Sequence, residues 1–394
     1  MSDVFCEVAS IDYPIVDADA HVNEPPDTWQ TRVPAKLRAR APKVLRTPNG
    51  DVWSFDDGKR LRPLGLTATA GLSYPQFKAE GFRYEDIRPG SFDTKARLAD
   101  LDADGIWAQI LYPSVTLAGA RTYADDRELQ LACVRAYNEW LVEFCAGSKG
   151  RLVGQAIIPT TSVTDAVAEL RWGLDHGMKG ALIAAYPDGS SASPGPANDP
   201  FWDLAQESGT PLGVHIGSFT VAGLTAGKIE QSSVSFMAKA GASKAGAQTI
   251  PVVAELLFSG VPQRFPRIKF LLVEANIGWI PTLLEQSDDM FMRYRWYTGA
   301  VNEQKEMPST IFFRNFWATF MVDTVGMDLR HRMNVDHLMW STDYPHSGSD
   351  WPNSRLTIER VFRDIPRAEV KKMLHSNCKQ LYRLDHIPDR LPGR

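Results

Sequence analysis

Cysteine is scarce in this chain, with four in 394 residues, at Cys6, Cys133, Cys145 and Cys378. None falls in a C-x-x-C pattern. Cys133 and Cys145 lie twelve residues apart on one predicted helix, about 18 Å at helical rise and too far to pair with each other. The four read as reduced thiols in a cytoplasmic protein, most of them packing groups. An apolar run near the roughly 20 residues that cross a bilayer is also missing, so no membrane partner is expected. Residues 1–14 carry Asp3, Glu7 and Asp12 and no basic stretch, unlike a signal peptide. Charge of one sign is lacking too. The formal net charge is -4, and the nearest thing to a basic cluster, Arg32, Lys36, Arg38, Arg40 and Lys43, is broken by Pro and Ala. A solvated loop face explains that cluster, and no nucleic-acid partner is expected.

What is present is a large apolar fraction, 44% of the residues, enough for one barrel with insertions or for two ordinary domains. Short apolar segments alternate with longer helical patterns. Strand-like segments fall at residues 15–22, 106–113, 152–159, 181–185, 211–216, 269–275, 318–322 and 337–342. Helical patterns fall at 125–146, 162–176, 200–208, 247–259, 279–294, 326–332, 355–362 and 367–374. Parallel strands need crossover helices, so this series predicts a parallel sheet. Near-continuous apolar strands such as LVGQAIIP and KFLLVEA fit burial on both faces. An open doubly wound sheet would carry a glycine-rich turn after the first strand, and there is none. The expected fold is therefore α/β, a distorted (β/α)8 TIM-type barrel in a single domain. Residues 24–90 and 217–246 are long insertions after the first and fifth strands, placed on the rim where this fold builds active sites. The second, SSVSFMAKAGASKAGAQ at its end, equally suits a helix whose small residues pack against a second subunit.

Polar residues interrupt the apolar strands at a few points only. The first strand reads IVDADAH, and alternation sets Asp17, Asp19 and His21 on one face. Ionisable groups there are costly unless paired or metal-bound. Asp17 reads as structural, whereas Asp19 and His21 offer an oxygen and a nitrogen from neighbouring rungs. The fifth strand carries His215 alone in PLGVHIGSF. The eighth ends in Asp343, with His346 just beyond. On a closed barrel these ends converge on one mouth, and two imidazoles with two carboxylates suit zinc, manganese or iron better than calcium. The sixth strand adds Glu274 in LLVEANIGW, placed either to accept a proton from metal-bound water or to pair with an Arg of the rim.

The runs VDADAHVNEP, VHIGSF, FLLVEANIGWIPTLLEQSD and MWSTDYPH together resemble the amidohydrolase-related family, the group that contains aminocarboxymuconate-semialdehyde decarboxylase, over residues 16–382. The resemblance implies one catalytic divalent metal, usually zinc or manganese, and frequently a dimer, hence a homodimer here. It places the family's first-strand ligand pair on Asp19 and His21, its strand-five histidine on His215 and its strand-eight aspartate on Asp343. GALIAA in the fourth strand offers no lysine to carbamylate, so a mononuclear site is expected, with zinc first and manganese or iron as alternatives. In one respect the chain departs from the pattern, because Glu274 stands where decarboxylases of the family usually carry a histidine. A third anion beside Asp19 and Asp343 disfavours a carboxylate substrate. The expected activity is therefore hydrolysis of a small aromatic or apolar substrate by metal-activated water, with Asp343, Glu274 and His346 as catalytic residues. The alternative is non-oxidative decarboxylation of an aromatic or muconate-type acid, with His346, Arg88, Arg121 or Arg314 neutralising the anion. A non-catalytic scaffold with a salt-bridged core is the third reading. The aromatics expected on the rim include Trp29, Trp53, Tyr74, Phe77, Phe219, Trp279, Trp296, Trp317 and Trp351.

Overall fold

Eight parallel strands form the frame in a computed structural model. It describes residues 4–5, 7–117, 119–123, 126–190, 194–219, 234–299 and 304–393. The barrel strands are β1 (Val16–Val22), β5 (Ala108–Pro113), β6 (Leu152–Ile157), β7 (Gly180–Leu182), β8 (Pro211–His215), β9 (Lys269–Val273), β10 (Phe316–Phe320) and β11 (Leu338–Trp340), hydrogen-bonded in that order. Between β1 and β5 the chain adds an antiparallel sheet of β2 (Lys43–Thr47), β3 (Gly50–Phe55) and β4 (Arg60–Pro63). The barrel closes just past β11. There the Asp343 N–H donates to the Asp19 carbonyl at 2.9 Å and the His21 N–H to the Tyr344 carbonyl at 2.6 Å. Among the described residues, no helix is long and apolar enough to cross a membrane.

Two parts of this frame escape the periodicity of the sequence. The helix Thr94–Asp104 buries Arg97, Asp100, Leu101 and Asp104, so its inward face is largely charged and carries no apolar stripe. Arg97 explains the arrangement. Fully buried, it donates to the carbonyls of Gly90 and His21 and to Gln109 Oε1, and it lies over the Tyr344 ring. It thereby ties the first two barrel strands to the turn that follows the last. The β2–β4 sheet is the other part, and it lies inside the expected insertion at 24–90. Trp29 clamps that insertion to the barrel, edge-on to Trp53 and donating to the Cys133 carbonyl at 3.1 Å. The second insertion holds the helix Val234–Lys244. Its residues 220–233 lie outside those described.

Glu24 stitches the start of the first insertion to the end of β5. Its side chain is fully buried and accepts from the Val115 N–H at 2.9 Å and the Thr116 hydroxyl at 3.1 Å. Burial outweighs these bonds and pushes its carboxyl up to about 7. A carboxyl raised in the folded state contributes stability that is complete below its unfolded value and is lost as pH climbs through the folded one. We therefore expect Glu24→Gln to flatten the pH dependence of stability between about pH 4.5 and 7. The wild type should lose on the order of 2–3 kcal/mol more over that window. Urea midpoints measured across pH check it, and parallel curves for the two proteins reject it.

Candidate metal centre at the barrel mouth

Three barrel strands bring their carboxyl ends to one point. Asp19 and His21 on β1 and His215 at the end of β8 are buried, and so is Asp343, three residues past β11. The separations are short. His21 Nε2 lies 3.4 Å from Asp19 Oδ1, 3.5 Å from Asp343 Oδ1 and 3.2 Å from His215 Nε2. His215 Nε2 lies 3.8 Å from Asp19 Oδ1 and 3.3 Å from Glu274 Oε2. Ligand atoms about 2.0–2.2 Å from a common ion sit roughly 3.0–3.6 Å from each other, so nearly all these gaps match a shared cation.

The hydrogen bonds point the same way. His21 Nδ1 faces the Pro113 carbonyl at 3.0 Å and His215 Nδ1 faces the Ile216 carbonyl at 3.1 Å. A carbonyl only accepts, so each Nδ1 carries the proton, and in a neutral ring each Nε2 then turns a lone pair inward. Two lone pairs 3.2 Å apart repel unless a cation lies beside them. Both oxygens of Asp19, and Oδ1 of Asp343, are buried without a hydrogen-bond partner among the described residues. Buried carboxylate oxygens are rarely left so. Burial raises the Asp19 carboxyl above its usual range, and it lowers the His21 imidazole, with His346 and His215 adding to the effect. His215 moves the other way, because Asp19 and Glu274 outweigh its burial. This donor set fits a divalent metal.

Asp17 stands apart from that set. It accepts from the Asp19 N–H at 3.2 Å, Gln109 Nε2 at 2.9 Å and the Thr342 N–H at 2.9 Å, and also from the Thr342 hydroxyl. With both oxygens engaged, it braces β1 between β5 and the end of β11.

Asp343 and Glu274 both sit in the left-handed backbone region, at φ 58° and 67°. Non-glycine residues there are strained and persist where surrounding structure holds them. For Asp343 the hold includes close packing, since a Cβ on Gly348 would fall 2.2 Å from Asp343 Oδ2. Gly348→Ala should accordingly displace that carboxylate. We expect a drop in metal affinity of about tenfold or more, the scale on which outer-shell changes act. Equilibrium dialysis against manganese or zinc reads it, and unchanged affinity would reject the packing argument.

His346 stacks on His21 with ring centroids 3.8 Å apart, and its Nε2 pairs with Ser114 Oγ at 2.9 Å. Its Nδ1 comes within 3.0 Å of Asp343 Oδ1 but makes no hydrogen bond to it. Glu274 departs most from expectation. Its Oε2 faces His215, while its Oε1 takes Lys244 Nζ at 2.7 Å. Lys244 also stands 4.0 Å from Asp343 Oδ2. Burial acts to raise the Glu274 carboxyl, but Lys244 and His215 together pull it below its usual range, and the carboxylates keep Lys244 protonated.

Sequence reasoning missed Lys244, the last residue of the helix Val234–Lys244. A lysine in an Ala-, Gly- and Ser-rich segment looks like any surface lysine. The faint signal is Gly246, at φ 86°, where a Cβ would meet the Trp279 ring at 2.7 Å. This turn presses the end of the helix onto the loop after β9. Arg88 is paired with Asp100 at 2.6 Å and lies over Trp351, and Arg314 is paired with Glu306. Neither serves the mouth. Trp317 lies near the start of β10, away from the mouth, stacked on His337. Trp296 is near the far end of the helix Ile280–Thr298. Along with Trp29 and Trp53, these two leave the set of mouth aromatics.

Comparison with known proteins bears on these observations. The sequence pattern of the family described as Amidohydrolase matches residues 16–384. No curated protein matches the chain. Among solved structures, an amidohydrolase from Mycobacterium avium subsp. paratuberculosis K-10 is 20% identical, with a TM-score of 0.71 over 95% of this chain and 100% of that one. A 5-carboxyvanillate decarboxylase from Novosphingobium aromaticivorans is 16% identical, with a TM-score of 0.66 over 97% and 99%, and was solved with manganese and 4-hydroxy-3-methoxy-5-nitrobenzoic acid. A 2,6-dihydroxybenzoate decarboxylase from Rhizobium is 19% identical, with a TM-score of 0.60 over 95% and 99%. At these identities the likeness carries the fold, a TIM-type barrel.

The expectation of a hydrolase is corrected. Several of the similar structures are decarboxylases, of 2,6-dihydroxybenzoate and 5-carboxyvanillate among others. The physical premise fails as well, because Glu274 is not a free third anion but half of an ion pair with Lys244. The barrel, the converging donors and the match over nearly the whole length lead to one conclusion: the chain belongs to the amidohydrolase family.

Proposed function

We propose that the chain is a metal-dependent, non-oxidative decarboxylase of a small aromatic or muconate-type acid. The observation that carries this reading is the pairing of unsatisfied donors with a charge-balanced mouth. Asp19, His21 and His215, which cluster with Glu274, and Asp343, which clusters with His21 and His346, offer ligands for one divalent ion, zinc or manganese. Lys244 meanwhile cancels the charge of Glu274. With a dication bound, three carboxylates and one ammonium leave the mouth formally neutral, and an anionic substrate enters without net repulsion. The ion, once bound, would supply positive charge for the oxygen beside the acid's carboxylate, where charge builds as the bond breaks.

The chain's own groups hold and move the proton. Decarboxylation breaks the bond between the carboxyl group and its carbon, and a proton takes the vacated place. Asp343, buried at the mouth, is the group that delivers it, from the carboxyl oxygen that does not hold the ion. His346, 3.0 Å away and bonded to Ser114, lies where it can return a proton to Asp343. Glu274 holds Lys244 and faces His215.

The test uses manganese- or zinc-loaded protein with a panel of hydroxybenzoates, carboxylated phenols and carboxymuconate-type acids. Release of carbon dioxide, with one solvent deuteron at the vacated carbon in heavy water, supports the proposal. Uptake of labelled oxygen from water into product, with no carbon dioxide from any acid, overturns it.

A further inference from the structure

Lys244 does more than complete a pair. Among the described residues it is the one Lys or Arg within 4.0 Å of a carboxylate of the metal cluster. It comes from outside the barrel wall, and its side chain keeps about a third of its surface exposed, at 31%, while Glu274 is nearly covered. An ammonium has three donors. One is directed at Glu274 Oε1, at 2.7 Å, and Asp343 Oδ2 stands at 4.0 Å, outside hydrogen-bonding range. Among the described residues, donor capacity thus remains on a cation that faces both the cluster and solvent.

Resting on the decarboxylase reading, we propose that Lys244 is the specificity-determining residue, recognising a second anionic oxygen substituent of the substrate. That substituent is a carboxylate that persists through the reaction. The group lost as carbon dioxide belongs at the metal cluster. An ammonium fixed on the departing carboxylate would favour the ground state, because the charge it holds leaves that group as the bond breaks. Placed on a group whose charge is retained, it binds ground state and transition state alike, and its removal raises KM with little change in kcat. The substrate class is therefore an aromatic or unsaturated acid carrying two anionic groups, not a simple monocarboxylic acid.

The experiment compares two inert ligands in which a nitro group replaces the carboxylate that would be lost, 2-nitrophenol and 4-hydroxy-3-nitrobenzoate. Each is titrated calorimetrically into manganese-loaded wild type, Lys244→Gln and the double variant Lys244→Gln/Glu274→Gln. The double variant removes both charges of the pair and so leaves the net charge of the mouth unaltered. We expect the wild type to bind the carboxylated ligand about 10–100-fold more tightly, the scale of charge-assisted hydrogen bonds. Both variants should bring that ratio near one. A wild-type ratio already near one, or a double variant that keeps the wild-type ratio, overturns the proposal. In the second case Lys244 would be only the counter-ion of Glu274. Because the ligands are inert, the result does not depend on turnover. Failure of every acid to release carbon dioxide would remove the decarboxylase reading and leave this binding result standing.

Discussion

Asp343→Asn is expected to lower the rate of decarboxylation by about 10²–10⁴-fold, the usual contribution of a positioned acid. The asparagine amide keeps the shape of the side chain but has no acidic proton to give. Its backbone position is held independently, since the residue 343 N–H bonds to the Asp19 carbonyl at 2.9 Å and Tyr344 is anchored through its hydroxyl to Asp100 at 2.6 Å. Single-turnover measurements on manganese-saturated protein isolate the chemical step. A rate within a factor of three of wild type, with metal still bound, would remove Asp343 from the proton path.

The second large effect is a reversal of sign in stability. Asp19 is fully buried with neither oxygen hydrogen-bonded among the described residues, so in metal-free protein it is a liability that a cation relieves. Asp19→Asn replaces the carboxylate with an amide whose N–H groups can donate to the inward lone pairs of His21 and His215. We expect the chelator-treated variant to be more stable than chelator-treated wild type by about 1–3 kcal/mol, the scale of relieving an unsatisfied buried group. With zinc or manganese the order should invert, since metal stabilises by mass action in proportion to its affinity for the native site. Urea unfolding with and without metal reads both arms. If the variant is the less stable protein under both conditions, the carboxylate has a partner other than a metal.

The converging polar residues were legible because a barrel strand is an unforgiving context. Asp19, His21 and His215 each break an otherwise apolar strand, and Asp343 follows one directly, a cost that calls for compensation on the scale of metal binding. Their convergence then follows from barrel closure alone. Lys244 had no such context. Its partner lies thirty residues ahead in the chain, and nothing in SSVSFMAKAGASKAGAQ distinguishes the lysine that points inward. Missing that one cation reversed the charge argument at Glu274 and with it the choice between hydrolysis and decarboxylation. The helix Thr94–Asp104 was hidden for a related reason. Buried polar networks around Arg97 replace the apolar stripe on which periodicity depends. The β2–β4 sheet stayed unseen because its insertion is rich in Pro and Arg, which mask the short apolar runs of its strands.

The helix Val234–Lys244 has mostly exposed side chains along its length and yet ends in the mouth. Recognition and reactivity therefore have separate mechanical foundations, one on a loosely packed surface element and the other in the barrel wall. An engineer could graft a different helix at this position and change which acids are accepted, without re-solving the packing problem around the metal ligands.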